Sequence, residues 1–293
     1  MSQNKGKRYL ILVGDGMADY PMEDLGNKTV LEAADTPNMD RIASCHIGLV
    51  KTIPKGMEAG SDVANLSVLG YDPSSFHTGR APLEAASMGV DLRKEQVAFR
   101  MNLVTLDRRS EKEIIMISHS SGDISTEESG KIVNDLKGNL ERRGIRIYPG
   151  VAYRHLLVWD DGPEHAPTIP PHDVLDKNMA GYLNNSGDDP VPGIIRESWP
   201  LLENHRVNLD RRSVGLNEAN SIWLWGQGRS PSIPLFSDKF GLKGGVISAV
   251  DLIRGIGKYA GFRPIYVEGA TGYLDTNYRG KGEGALKGLE DLD

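Results

Sequence analysis

Tyr9-Leu10-Ile11-Leu12-Val13-Gly14-Asp15-Gly16 is a continuous apolar run that ends in two glycines around a carboxylate. Such a run, bounded by turn residues, reads as a buried strand. In open α/β sheets ligands sit beyond the carboxyl ends of strands. Asp15 therefore has a productive address, with small neighbours that would let a metal ion or a phosphate approach. Read without that context, it is a turn aspartate. Two phosphate-binding fingerprints are excluded. The third glycine of a dinucleotide loop would fall on Asp19, and a P-loop at Gly257-Lys258 would need glycine at Leu252 and a hydroxyl residue at Tyr259.

A second stretch, Gly60-Ser61-Asp62-Val63-Ala64-Asn65-Leu66-Ser67-Val68-Leu69-Gly70, has apolar residues every third position at Val63, Leu66 and Leu69. That spacing predicts a helix with one packed face. Gly60 permits a tight entry. Ser61 then stands at a helix N-terminus, where backbone N–H groups and the dipole favour an anion. Asn65 lies one turn later on the same side, placed to help hold a ligand. Ser61 reads either as a nucleophile or as an N-cap with Asp62 in the first turn.

The 293 residues are 39% hydrophobic and 25% charged, with net charge −6 and pI about 5.7. This is an ordinary globular composition, long enough for two domains or one with an insertion. No basic tract marks a nucleic-acid partner. No apolar run approaches a membrane span. The basic, polar start is followed by too short an apolar run for a signal peptide. A single cysteine, Cys45, excludes an internal disulfide and fits a reducing, cytoplasmic setting. It reads as a small buried thiol, with a nucleophile as the alternative.

Along the chain, residues 1–90 alternate strand and helix signals. Thr36-Pro37 opens a helix with Met39, Ile42 and Ala43 facing inward. Residues 97–106 alternate as a half-exposed strand, and a turn leads into Ile114–Ile117. Ser125 and Glu128 form a capping box for a helix carrying Ile132, Val133, Leu136 and Leu140, stopped at Gly144. Strands are expected at 145–148, 154–159 and 222–225, the last with Trp223 and Trp225 on one face. Apolar content returns at 245–250. The Pro-, Gly- and Asn-rich stretch 160–193 reads as a lid or an interdomain surface.

Gly14-Asp15-Gly16-Met17-Ala18-Asp19-Tyr20-Pro21 and Gly60–Ser67 together resemble the archaeal-type, cofactor-independent phosphoglycerate mutase family, a branch of the alkaline phosphatase superfamily. Thr36–Asp40, Gly70–Pro73, Thr78–Ser87, Asn220–Gly228 and Thr271–Tyr278 extend the likeness over nearly the whole chain. The resemblance implies an α/β fold: an alkaline-phosphatase-like core, three-layered with a mostly parallel sheet, and an inserted α+β domain. Residues 1–90 and 244–293 would form the core, and 91–243 the inserted substrate or lid domain. It implies that Ser61 is phosphorylated by 2- or 3-phosphoglycerate and returns the group to the other hydroxyl, with no 2,3-bisphosphoglycerate. It also implies two divalent cations (Mn or Mg first, Zn or Co as alternatives), with Asp15 and Ser61 among the ligands.

A phosphorylated three-carbon acid calls for cations. Arg80, Arg154, Arg229 and Arg254 are the candidates, with Lys258 weaker. His155 and His172 read equally as substrate or acid–base contacts and as structural histidines. Family members often carry Ser-Ala-Gly-His-Ile-Ser-Thr where this chain has Ser120-Ser121-Gly122-Asp123-Ile124-Ser125-Thr126, so Asp123 replaces a histidine. They also carry further metal ligands near the C-terminus, in an Asp-x-x-x-His motif, an Asp-His pair and another histidine. No Asp-His dipeptide occurs here, and the correctly spaced Asp161 and His165 lie in a proline-flanked loop. The expectation is a fragment of a longer polypeptide with an incomplete metal site. The competing readings are a related phosphotransferase, such as the proposed homoserine kinases of this branch, and an inactive cleft-binding fragment.

Overall fold

The computed structural model describes residues 6–141, 144–184 and 189–293. The opening residues 1–5 and residues 185–188 of the loop-rich stretch, both read above, lie outside it. The fold is mixed α/β, organised by β1 (Gln96–Ser110). β1 is antiparallel to three partners. It meets β2 (Glu113–Ser118) over its second half, and β4 (Arg154–Asp160) and β5 (Ser221–Gly228) on opposite edges of its first half. β3 (Ile145–Tyr148) pairs with the outer edge of β4.

Residues 97–106 are buried on both faces, not half-exposed. The alternation is real, but each face has a cover. Val97, Phe99, Met101 and Leu103 join the main core, to which Ile132, Val133, Leu136 and Leu140 of the helix Thr126–Leu140 also belong. Each fully buried aliphatic or aromatic side chain there contributes about 1.5–3 kcal/mol. The Ser125–Glu128 capping box closes the start of that helix. Ala98 instead packs with Ala81 and Ala85 of the helix Arg80–Ser87, so β1 needs small or polar residues on this side.

A second core gathers Leu66, Tyr71, Leu83, Leu252, Ile256 and Ala260. It joins the helices Ser61–Val68, Arg80–Ser87 and Asp251–Tyr259. Only glycine fits at 255, because a Cβ there would sit 1.8 Å from the carbonyl oxygen of Leu83. The 77–80 loop is equally tight against β5. Gly79 has φ +142°, and a Cβ on it would meet the Gln227 carbonyl at 2.1 Å.

Other expectations are corrected. Tyr9–Val13 forms no strand, and its side chains are 53–84% exposed. A buried parallel strand needs neighbours on both edges and helices on both faces. No strand among the described residues pairs with this run. The expected mostly parallel sheet is likewise not what the larger sheet shows. Parallel pairing is confined, among the described residues, to Gly245–Val246 with Arg263–Pro264. The helix Pro37–Ala43 forms, yet Met39 and Ile42 face outward, since nothing described packs over them. Cys45, just past that helix, is exposed rather than buried for the same reason.

Candidate active site

Ser61 is the first residue of its helix, and Gly60, in extended conformation, holds the N-cap position. The serine hydroxyl is therefore not spent on capping. It is exposed and makes no hydrogen bond among the described residues. Asp62, next to it, is buried. Its carboxylate accepts from the Val63 N–H at 3.1 Å and lies 2.7 Å from His77 Nε2. Burial pushes the Asp62 carboxyl up. The hydrogen bond and charge of His77, with the backbone donors, outweigh that and hold it below its ordinary value. Asn65 donates to the Ser61 carbonyl at 2.7 Å, so its amide braces the same turn.

The Asp62–His77 contact ties the start of the Ser61 helix to the loop that leads into Arg80. Arg80 follows His77 by three positions, so their Cα atoms lie within about 11 Å. Arg80 opens the next helix, and its Nε donates to Glu84 at 3.2 Å. Glu84 also accepts from Arg100 Nε of β1 at 2.9 Å. The Arg100 side chain is 7% exposed and stacks on the Trp225 ring at 4.1 Å. Burial weighs most against its charge, and Arg80 adds to that; Glu84 opposes both.

His172 meets the same indole edge-on at 5.3 Å, and His119 lies 6.3 Å from His172 and 5.7 Å from Tyr153. Buried Asn102 braces the group. It accepts from Trp225 Nε1 at 3.1 Å and donates to the His119 carbonyl at 3.0 Å. Desolvation holds the His172 imidazole below its ordinary value, and His119, Arg100 and Arg80 add to this against Asp173. The result is a cationic, donor-rich surface with one carboxylate at its base. Such a surface suits an oxyanion.

Arg154, the cross-strand partner of Asn102, sits at the edge of this group, and the remaining candidates are dispersed. Arg154 begins β4, exposed, 5.3 Å from the Tyr153 ring. Arg229 is engaged by Glu164 at 2.7 Å and by the Lys94 carbonyl. Arg254 lies 3.7 Å from Asp251 and 5.2 Å from the Tyr266 ring. Lys258 pairs with Asp91 at 2.8 Å. Asp123, in left-handed conformation (φ +53°), is exposed. Asp15 is exposed in a turn and makes no ion pair among the described residues.

His155 is buried in β4. Its Nδ1 accepts from the Gly150 N–H at 3.0 Å, and Nε2 has no partner among the described residues. Burial drives its imidazole down to about 4 from 6.5, against a smaller opposing backbone contribution. The unfolded chain takes up this proton near pH 6.5, whereas the folded chain resists until about pH 4. The contribution is therefore complete above pH 6.5 and falls as pH drops towards 4. The expected loss is about 3 kcal/mol. Urea unfolding across this range should show the slope in the parent and lose most of it in His155→Leu. Equal slopes would refute the assignment.

Arg100, Trp225 and Glu84 carry much of this arrangement and are not among the sequence candidates. One signal was available. Arg100 and Asn102 interrupt an otherwise apolar strand on one face, and a charge there must find a partner. That partner, Glu84, is sixteen residues away on a helix.

A metal pair does not fit what is described. Asp15 and Ser61 offer two donors where a tightly held catalytic ion generally needs three from protein. No group of three or more His, Cys, Asp or Glu that could hold a metal ion occurs among the described residues. No helix among them is long and apolar enough to cross a membrane.

The sequence profile of the 2,3-bisphosphoglycerate-independent phosphoglycerate mutase family matches residues 43–208. A mutase of that name from Methanosarcina barkeri is 51% identical over 98% of this chain and 71% of its own. The protein named 2,3-bisphosphoglycerate-independent phosphoglycerate mutase 2 from Methanothermobacter thermautotrophicus is 48% identical, over 98% of this chain and 70% of its own. Among solved structures, a Pyrococcus horikoshii protein matches with TM-score 0.73 and 32% identity, covering 95% of this chain and 66% of that one. The cofactor-independent phosphoglycerate mutase of Thermoplasma acidophilum matches with TM-score 0.55 and 27% identity, covering 95% and 73%. The chain thus spans about 70% of the length of these curated relatives. By profile and by identity at this level, it belongs to the 2,3-bisphosphoglycerate-independent phosphoglycerate mutase family.

Proposed function

We infer that the protein interconverts 3-phosphoglycerate and 2-phosphoglycerate without 2,3-bisphosphoglycerate, Ser61 carrying the phosphoryl group in transit. The observation that carries this reading is the juxtaposition of two elements. An unbonded serine hydroxyl sits at a helix start, and the Asp62–His77 tie links that start to the loop entering the Arg80–Arg100–His172 surface. Ser61 Oγ attacks phosphorus and loses its proton. The bond to one glycerate oxygen breaks, and that oxygen is protonated. The other glycerate hydroxyl then attacks the phosphoserine, and Ser61 regains a proton. The guanidiniums would hold the carboxylate and phosphate of glycerate through both halves. Exclusion of water while the phosphoserine stands keeps transfer ahead of hydrolysis.

The same reading assigns residues 1–90 and 244–293 to an alkaline-phosphatase-like core and 91–243 to an inserted domain. The separation of the second core, Leu66 to Ala260, from the main core around β1 supports it. Phosphorus NMR of the protein with 3-phosphoglycerate and no nucleotide tests the function. Growth of the 2-phosphoglycerate resonance to equilibrium is expected. Turnover that requires both ATP and homoserine would replace this reading with the phosphotransferase one.

A further inference from the structure

A hollow of about 760 Å³ opens beside the far end of β1, between the β1–β2 hairpin and the helices Val191–Glu197 and Trp199–Leu202. Arg108 lies eight residues along β1 from Arg100, roughly 26 Å at 3.3 Å per residue, so this is not the surface around Trp225. Arg108, Lys112 and Arg196 line the hollow. Arg108 stacks 4.9 Å from the Trp199 ring centroid, and the indole is fixed by its N–H donated to Ser221 Oγ at 2.9 Å. Stacking leaves the edge of the guanidinium, with its N–H fork, free to face the hollow.

Arg196 Nε is buried and has no acceptor among the described residues. Buried donors are almost always paired, so an orphan on a cavity wall points to an absent acceptor. None of the three cations enters an ion pair among the described residues. Glu111 and Glu203 also line the hollow, but both are exposed, while Arg108 and Arg196 are half-buried. The inner wall is thus donor-rich and the rim mixed. In a chain of net charge −6, three unclaimed cations around one concavity are the opposite of the prevailing field.

We propose that this hollow binds a small phosphate-bearing anion through Arg108, Arg196 and Lys112, separately from the candidate active site. A dianionic phosphate presents several acceptor oxygens, enough for the Arg108 fork, the orphan Arg196 Nε and the Lys112 ammonium together. The proposal does not depend on the mutase reading, because it uses none of that site's residues.

Titration of the folded 293-residue chain with inorganic phosphate, followed by NMR of the arginine side-chain Nε–H resonances, tests it. The Arg196 and Arg108 resonances are expected to shift and saturate together. In Arg108→Gln, the midpoint for the Arg196 resonance should rise at least about tenfold, while the Arg100 resonance responds as in the parent. Arg108→Lys, which keeps the charge and loses the fork, should fall between. Circular dichroism confirms that each variant is folded, and half-buried Arg108 leaves the core intact. An Arg196 resonance that never saturates, or a midpoint unchanged in Arg108→Gln, overturns the proposal. So does phosphate binding confined to Arg100.

Discussion

Ser61→Ala is expected to lower phosphoglycerate interconversion by at least about 10⁴-fold and to abolish the phosphoenzyme. No other described group offers an unbonded nucleophile at a helix start beside the Arg80 loop. The melting temperature should move by less than about 2 °C, a bound set by local structure. Gly60, not Ser61, holds the N-cap position, and the serine hydroxyl has no partner among the described residues. Alanine is also the better helix former. A side chain that affects turnover and leaves the fold indifferent is the signature of chemistry. Phosphate trapping with mass spectrometry supplies the second readout. A phosphoryl group retained on Ser61→Ala would move the nucleophile elsewhere. A fall of several degrees in melting temperature would return Ser61 to a structural role.

The parts of the fold that were legible are those whose signals are local. The Ser125–Glu128 box announces its helix in four residues, and β2, β4 and β5 are short apolar or alternating runs with turn residues at their ends. Tyr9–Val13 failed because a buried strand is a relation between strands. Its apolar run states a requirement for cover that no described element meets. Cys45 and Ile42 failed for the same reason. In the candidate site, Ser61 could be read because a glycine–serine step before an apolar period is contiguous. By residue type Arg80 is one cation among several. What makes it part of a surface is Glu84 reaching Arg100 across the helix–sheet interface, a contact that no spacing rule encodes. Residue type alone singles out Arg229, Arg254 and Lys258, and each has a carboxylate at hand in the fold.

Glu84 is where stability and the proposed recognition surface meet. Its two oxygens each take one guanidinium, Arg80 at 3.2 Å and Arg100 at 2.9 Å. Arg100 is largely withdrawn from water, its side chain 7% exposed against the Trp225 ring and beside Glu84 of the helix Arg80–Ser87. Glu84→Gln should therefore destabilise the fold by about 3 kcal/mol, the low end for breaking a buried pair, because the amide oxygen still accepts one hydrogen bond. Urea unfolding at neutral pH measures it. Arg80→Gln should cost under about 1 kcal/mol, since that side chain is 36% exposed and Glu84 keeps its stronger partner. Its effect should fall instead on substrate KM. The double variant Glu84→Leu/Arg100→Met separates the causes. If the loss in Glu84→Gln comes from an uncompensated buried charge, removing both charges restores much of the stability while phosphoglycerate binding stays weak. If the double variant is as unstable as the sum of its parts, the two residues act through packing alone, and the guanidinium–carboxylate ladder is not what holds β1 to its helix.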